Sequence, residues 1–141
     1  MANAIHNYMQ LIPAATDKLD KQASSIIKLF DCVEYRLKDE LHREDGPAVE
    51  WSNGSQEYWV NGKRHREDGP AIIHPDGTEL YFINGKLHRE DGPAIINYNG
   101  NCDWFINGFD ITIIVKKWLF DTGYTTPLDT QQLFEFKLKF V

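Results

Sequence analysis

Along the middle of the chain, short apolar runs recur at a fixed interval. Glu34-Tyr35-Arg36-Leu37, Glu57-Tyr58-Trp59-Val60, Leu80-Tyr81-Phe82-Ile83 and Asp103-Trp104-Phe105-Ile106 are brief and rich in aromatic and aliphatic residues, a length and composition that predict strands. A polar pair follows each run: Asn61-Gly62, Asn84-Gly85 and Asn107-Gly108, with Lys38-Asp39 in the first. Asn and Gly tolerate the positive φ that two-residue turns demand, so the pairs predict tight turns. A second run, Ala48-Val49-Glu50-Trp51, Ala71-Ile72-Ile73-His74 or Ala94-Ile95-Ile96-Asn97, closes at Asn53-Gly54, Asp76-Gly77 or Asn99-Gly100. Each interval therefore supplies two strands, and the closing turn joins the second of them to the next interval's first strand as a β-hairpin.

The interval is 23 residues, and His-Arg-Glu-Asp-Gly-Pro-Ala stands unchanged in it at His42, His65 and His88. Units run over 32–54, 55–77 and 78–100, with a partial fourth at 101–108. A fixed period of this length marks a repeat architecture, in which each unit buries apolar surface only against its neighbours. Side chains two apart share a side of a sheet. Tyr35, Tyr58, Tyr81 and Trp104 thus lie with Leu37, Val60, Ile83 and Ile106 on the expected core face. Opposite lie Arg36, Trp59, Phe82 and Phe105, flanked by Glu34, Glu57, Leu80 and Asp103. On this second face Glu57, Trp59, Phe82, Asp103 and Phe105 are the candidate partner-binding residues. The competing reading makes its aromatics a second packed ladder under a terminal helix.

The period with Tyr-Trp-Val-Asn-Gly-Lys-Arg-His (Tyr58 to His65) and Asp-Gly-Thr-Glu-Leu-Tyr (Asp76 to Tyr81) resembles the MORN-type (membrane occupation and recognition nexus) β-hairpin repeats, over 77 of the 141 residues. The chain departs from that pattern after the His, where the family has Gly-x-Gly and this sequence has Arg-Glu-Asp-Gly-Pro-Ala. That variant is similar to repeats of bacteriophage and large-virus proteins, and the Lys-Trp-Leu and Phe-Lys-Leu-Lys-Phe segments near the C-terminus are similar to the tails of the same proteins. The resemblance implies an elongated, twisted antiparallel sheet used for contacts with other proteins, and in some cases for phosphoinositide lipids. It does not imply catalysis.

The flanks predict caps, because terminal strands of a repeat sheet expose unpaired backbone groups. Pro13 and Thr16 precede Leu19, Ala23, Ile26, Ile27 and Phe30, spaced as one stripe of an N-terminal helix. After the repeat, Ile111, Ile114, Val115, Trp118 and Leu119 predict a helix with Gly123 beyond its end. Thr126-Pro127-Leu128-Asp129 reads as a capping box opening a short second helix. Phe134, Phe136, Leu138 and Phe140 then alternate with Glu135, Lys137 and Lys139, which predicts a half-buried final strand. The expected fold is mainly β: an elongated twisted antiparallel sheet of MORN-like hairpin repeats with an N-terminal helical cap (1–31), the repeats (32–108) and a C-terminal helix-helix-strand cap (109–141), as one domain.

The repeated polar residues invite a catalytic or metal reading, and spacing opposes it. Equivalent residues of adjacent hairpin units are two strands, about 10 Å, apart. Ligands of one zinc ion must lie within about 4 Å of one another, so His42, His65 and His88 cannot share a metal. Three identical copies also lack the asymmetry of an active site. The residues His42, Arg43, Asp45, His65, Arg66, Asp68, His88, Arg89 and Asp91 are read as a structural ladder. In it each Arg pairs with a neighbouring acid, Glu44, Glu67, Glu90 or the Asp beside it. Gly46, Gly69 and Gly92 with Pro47, Pro70 and Pro93 fix the bend before the next strand. His6 and His74 stand isolated, and Cys32 and Cys102 are expected as reduced thiols. No phosphate-binding loop, dinucleotide fingerprint, Cys-x-x-Cys pair or Gly-x-Ser-x-Gly elbow occurs, and no cofactor or metal is expected.

Charge narrows the partner. Lys and Arg number 15 against 21 for Asp and Glu, a net −6. Residues 1–31 carry three of each sign and 109–141 four of each, while 32–108 carry eight basic and fourteen acidic groups, so the whole excess lies on the repeat. That sign disfavours nucleic acid and anionic membranes and favours a protein partner with a basic surface. No apolar run reaches the roughly 18 residues a membrane-spanning helix needs, and the start lacks a signal-peptide pattern, so a cytoplasmic location is expected, host cytoplasm if the protein is viral. Uncovered hairpin edges leave a homodimer open. The expected function is a non-catalytic protein-binding module, a phage or viral accessory that binds and inhibits a host defence protein through its acidic and aromatic face. The alternatives are a phospholipid-headgroup scaffold and, last, a small hydrolase using His65 or His88.

Overall fold

The computed structural model describes residues 10–12 and 25–141. Ahead of the repeat lie β1 (Gln10–Ile12) and β2 (Ser25–Lys28). Unit one supplies β3 (Cys32–Leu37), β4 (Glu40–Leu41) and β5 (Val49–Trp51). Unit two supplies β6 (Gln56–Glu57), β7 (Trp59–Val60), β8 (Lys63–Arg64) and β9 (Ile72–Ile73). Unit three repeats the set as β10 (Glu79–Leu80), β11 (Phe82–Ile83), β12 (Lys86–Leu87) and β13 (Ile95–Ile96). The partial fourth gives β14 (Cys102–Asp103), β15 (Phe105–Ile106) and β16 (Phe109–Asp110), followed by α1 (Thr112–Thr122) and α2 (Thr130–Phe140). The fold is mainly β, with the two helices at the C-terminal end.

Among the described residues, ten strands form one antiparallel sheet in the order β1-β2-β3-β5-β6-β9-β10-β13-β14, with β4 folded onto β3. Three lateral hairpins, β7-β8, β11-β12 and β15-β16, stand beside it. The expected hairpins across the unit boundaries are present, in registers such as Val49↔Glu57 and Glu79↔Ile73. Each later unit's first strand is nevertheless broken at its Tyr or Trp. Tyr58 donates its N–H to the Ala71 carbonyl at 2.7 Å, inside the main sheet, whereas the Trp59 carbonyl accepts from the Arg43 N–H of the preceding unit at 2.9 Å. The chain thus changes hydrogen-bonding partner at one residue, and the strand is interrupted there. The lateral turns have positive φ at both central residues, 49° and 69° at Asn61-Gly62, as a type I′ turn requires. Lys38 (51°) and Asp39 (66°) adopt the same geometry without Gly, and the Arg36 Nη1 donates to the Asp39 carbonyl at 2.6 Å.

The repeat interior is thin. Ala48, Ala71 and Ala94 are fully buried with Val49 and Ile72, so the unchanged Ala of the heptapeptide is a position where only a small side chain fits. Tyr35, Tyr58 and Tyr81 are half-buried instead of closing a core. Among the described residues a buried apolar cluster lies at the C-terminal end, where Trp104, Val115, Trp118 and Phe136 are buried together with Ile111, Leu119, Tyr124, Leu128, Leu133 and Phe140 packed around them.

Two expected cap elements are corrected. Ser25–Lys28, the last part of the expected N-terminal helix, is a strand, with Ile26 opposite Tyr35 and Ile27 opposite Glu34. The free edge of β3 offers backbone partners, and a β-branched pair suits a strand better than a helix. Leu19 and Ala23 lie outside the described residues, and Phe30 is fully exposed. The expected final strand is the helix α2. Its capping box is Asp129 with Gln132, three residues later than the expected box at Thr126: Asp129 Oδ1 accepts from the Gln132 N–H and Gln132 Oε1 accepts from the Asp129 N–H. The same residues that alternate as a strand also place Leu133, Phe136 and Phe140 on one helical stripe, and the Trp104 ring gives that stripe something to cover. The α1 expectation holds, ending at Gly123 in the left-handed conformation (φ 72°), with Ile114 exposed instead of packed.

Candidate functional site

The candidate face is satisfied largely within itself. Glu57, at the end of β6, is a hub: its carboxylate accepts from Trp51 Nε1 (3.1 Å), Trp59 Nε1 (3.1 Å) and the Arg64 guanidinium (3.2 and 3.3 Å). Arg64 lies 4.8 Å from the Trp59 ring and 5.7 Å from the Phe82 ring, so it bridges the two aromatics of adjacent units. Trp59, Phe82 and Phe105 are all half-buried. Asp103 faces Lys116 of α1 at 3.9 Å. Of the candidate aromatics Arg64 joins Trp59 to Phe82, while the carboxylate of Glu57 is taken up by an arginine and two indoles of the same chain.

Within each heptapeptide the Arg is held by its Asp and by a second strut that the Arg–acid reading missed. Arg43, Arg66 and Arg89 each lie 4.0 Å from the ring centroid of Tyr35, Tyr58 or Tyr81. Each Nε donates to its Asp (Asp45 2.8 Å, Asp68 2.8 Å, Asp91 2.6 Å) and each Nη1 to the Pro carbonyl beyond. A Cβ on Gly46, Gly69 or Gly92 would stand 2.9 to 3.1 Å from the guanidinium carbon, which is why Gly fills this position although its φ is ordinary. The hydrogen bond from Arg66, then its charge, holds the Asp68 carboxyl below the usual carboxylate range. Burial pushes the Tyr81 phenol up.

The histidines work between units. The Nδ1 of His42, His65 and His88 accepts the backbone N–H of Asn61, Asn84 and Asn107, at 3.0, 3.1 and 3.0 Å, each 19 residues on. An Nδ1 that accepts leaves the ring proton on Nε2, which points toward Glu44, Glu67 or Glu90 at 3.6 to 3.7 Å. Each histidine thus pins the type I′ turn of the following unit. The signal was present in the sequence as a His-to-Asn spacing of 19 that recurs three times. His74 is likewise not isolated. Its Nδ1 lies 3.2 Å from the buried Ser55 hydroxyl, and in the next unit Thr78 Oγ1 accepts from the Tyr98 N–H at 3.2 Å. The Ser–His contact thus has a counterpart one unit on, both being hydroxyl contacts between successive units.

Between consecutive units the ladder walls off open grooves. One, of about 650 Å³, is lined by Arg43, Glu44, Asp45, Gly46, Tyr58, Val60, His65, Arg66, Glu67 and Asp68. The next, of about 680 Å³, has the equivalent residues one unit on, with Tyr81 and Ile83 as floor and Lys137 of α2 at its rim. Glu67 and Asp68 form the ridge shared by both, with side chains 85% and 84% exposed. The groove floor is made of residues that alternation had assigned to a closed core. Among the described residues no group of three or more His, Cys, Asp and Glu is placed to hold a metal ion. Cys32 and Cys102 are unbridged, and burial raises the Cys32 thiol.

The other surface that sequence reading missed lies on the cap. Phe109, Ile113, Ile114, Phe120, Phe134, Leu138 and Val141 are all exposed. Reading 134–140 as a strand put Phe134 and Leu138 on the same face as Phe136, whereas the helix turns them outward. No helix of the described residues is long and apolar enough to cross a membrane. No protein-family model, curated protein or solved structure matches the chain.

Proposed function

We propose that this chain is a non-catalytic protein-binding module of MORN-like repeats that engages a basic segment of a partner protein. In the phage or large-virus setting that the repeat variant resembles, such a module occupies and inhibits a host protein in the cytoplasm. The observation that carries the reading is the pair of equivalent grooves, each with an apolar floor, a histidine wall and acidic lips. The arginines on the walls are held by Tyr, Asp and Pro, so they act as fixed parts of the surface. The Arg, Glu and Asp groups of the linings recur from unit to unit, with no asymmetric pairing of a nucleophile and a base among them. A net −6 concentrated on the repeat steers a basic partner toward this surface.

The test is affinity capture from a bacterial lysate with the wild-type chain and with Glu67→Lys as baits. The expected result is a stoichiometric protein held by the wild type, released by raised salt and lost with the variant. Capture of no stoichiometric protein, or equal capture by both baits, overturns the reading.

A further inference from the structure

The spacing of the grooves specifies the shape of what fits them. The sheet order places β9 between β6 and β10, so equivalent residues of units two and three are separated by two strand spacings, about 9.5 Å. A polyproline II segment has three residues per turn and rises about 3.1 Å per residue, so every third side chain points the same way at about 9.3 Å. In a β-strand the residues on one side repeat at about 6.7 Å, which falls out of step with the second groove.

The lining specifies the side chain. The floor residues Val60 and Ile83 suit an aliphatic stem; the Tyr58 and Tyr81 rings beside them already carry Arg66 and Arg89 at 4.0 Å. Formal charges around the first groove are Arg43 and Arg66 against Glu44, Asp45, Glu67 and Asp68, a balance of −2. Around the second they are Arg66, Arg89 and Lys137 against Glu67, Asp68, Glu90 and Asp91, a balance of −1. Lys137 is the telling residue: its Nζ reaches from α2 to within 3.5 Å of Glu90 Oε2, so the chain itself already sets an ammonium at the rim of one groove. The first groove has no such cation among its lining residues.

Resting on the protein-binding reading above, we propose that the grooves bind a polyproline II-like segment with a Lys or Arg at every third position, the stems lying on Val60 and Ile83 and the cationic heads meeting the Glu67–Asp68 ridge. Lys137 holds by its own side chain the position that a partner's cation takes in the neighbouring groove.

Fluorescence anisotropy at low ionic strength, with the full chain and a labelled (Lys-Pro-Pro)4 peptide, tests this. Comparison peptides are one of the same composition with its lysines in a block and a helical one with lysines seven apart. The expected result is binding of (Lys-Pro-Pro)4 at least tenfold tighter than either. Glu67→Lys is expected to lower that affinity at least tenfold, whereas Asp121→Lys, an equal charge change on the cap, shifts it less than threefold. Lys137→Ala is expected to tighten it by two- to threefold. Circular dichroism checks that the variants remain folded. Equal binding of all three peptides, or equal effects of Glu67→Lys and Asp121→Lys, reduces the interaction to net charge and overturns the proposal. If no peptide binds while Glu67→Lys still loses the captured partner, the polyproline II segment is overturned and protein binding stands. Loss of both overturns both.

Discussion

Truncating Phe136 should unfold the cap far more readily than truncating its neighbours in the same aromatic run. Phe136 is fully buried, with ring centroids 5.0 Å from Trp104, 5.1 Å from Phe140 and 6.1 Å from Trp118. Removing a buried Phe to Ala costs about 3–5 kcal/mol, and loss of aromatic pairs worth about 0.5–1.5 kcal/mol each places Phe136→Ala toward the upper part of that range. Phe134 and Leu138 are 59% and 74% exposed, so Phe134→Ala and Leu138→Ala should change stability by no more than about 0.5 kcal/mol. Urea unfolding followed by tryptophan emission is the assay, since Trp104 and Trp118 both touch the Phe136 ring. With a urea slope of about 2 kcal/mol per molar, the Phe136→Ala midpoint should fall by about 1.5–2.5 M and the other two by about 0.25 M at most. Similar losses at Phe134, Phe136 and Leu138 would refute the argument, because a strand buries all three on one face and only a helix separates them.

The His–Asn strut predicts an order of losses set by burial. His42→Ala should cost about 1–3 kcal/mol because His42 is buried, and His65→Ala and His88→Ala nearer 1 kcal/mol because water can reach the Asn N–H left behind; unfolding midpoints in the reverse order count against it. Gly46→Ala sets a Cβ 2.9 Å from the Arg43 guanidinium carbon and should cost about 1–2 kcal/mol. That cost should shrink in an Arg43→Ala background, and a double-mutant cycle with no coupling rejects the close-approach explanation. Asp76 accepts from the Thr78 N–H, and that bond lowers its carboxyl from the ordinary value. Its contribution is present above the unfolded value of about 3.9 and is lost as pH falls through the lower folded value. The stability difference between wild type and Asp76→Ala, measured by urea unfolding across pH, should therefore narrow below about pH 4, and a constant difference refutes it.

The sequence by itself determined the unit and its joints. A 23-residue period, the two dipeptide turns per unit and the alternating runs were enough to place the boundary hairpins, because turn geometry and sheet pairing depend on neighbours a few residues apart. That each Arg finds an acid a residue or two away was legible for the same reason, but the choice of Asp over Glu was not. Whether Phe134–Phe140 is a strand or a helix was not legible, since Phe-Glu-Phe-Lys-Leu-Lys-Phe satisfies both periods. The buried ring of Trp104, some 30 residues upstream, decides it by offering a surface that the Leu133, Phe136 and Phe140 stripe can cover. The grooves were hidden in the same way. Alternation put Tyr58 and Val60 on one face, but it could not show that this face lines an open groove beside the point where the backbone leaves one hydrogen-bonding partner for another. Local pattern fixes which side of a strand a residue occupies; what stands over that side is set by hydrogen bonds and packing between units, which a single unit's sequence does not encode.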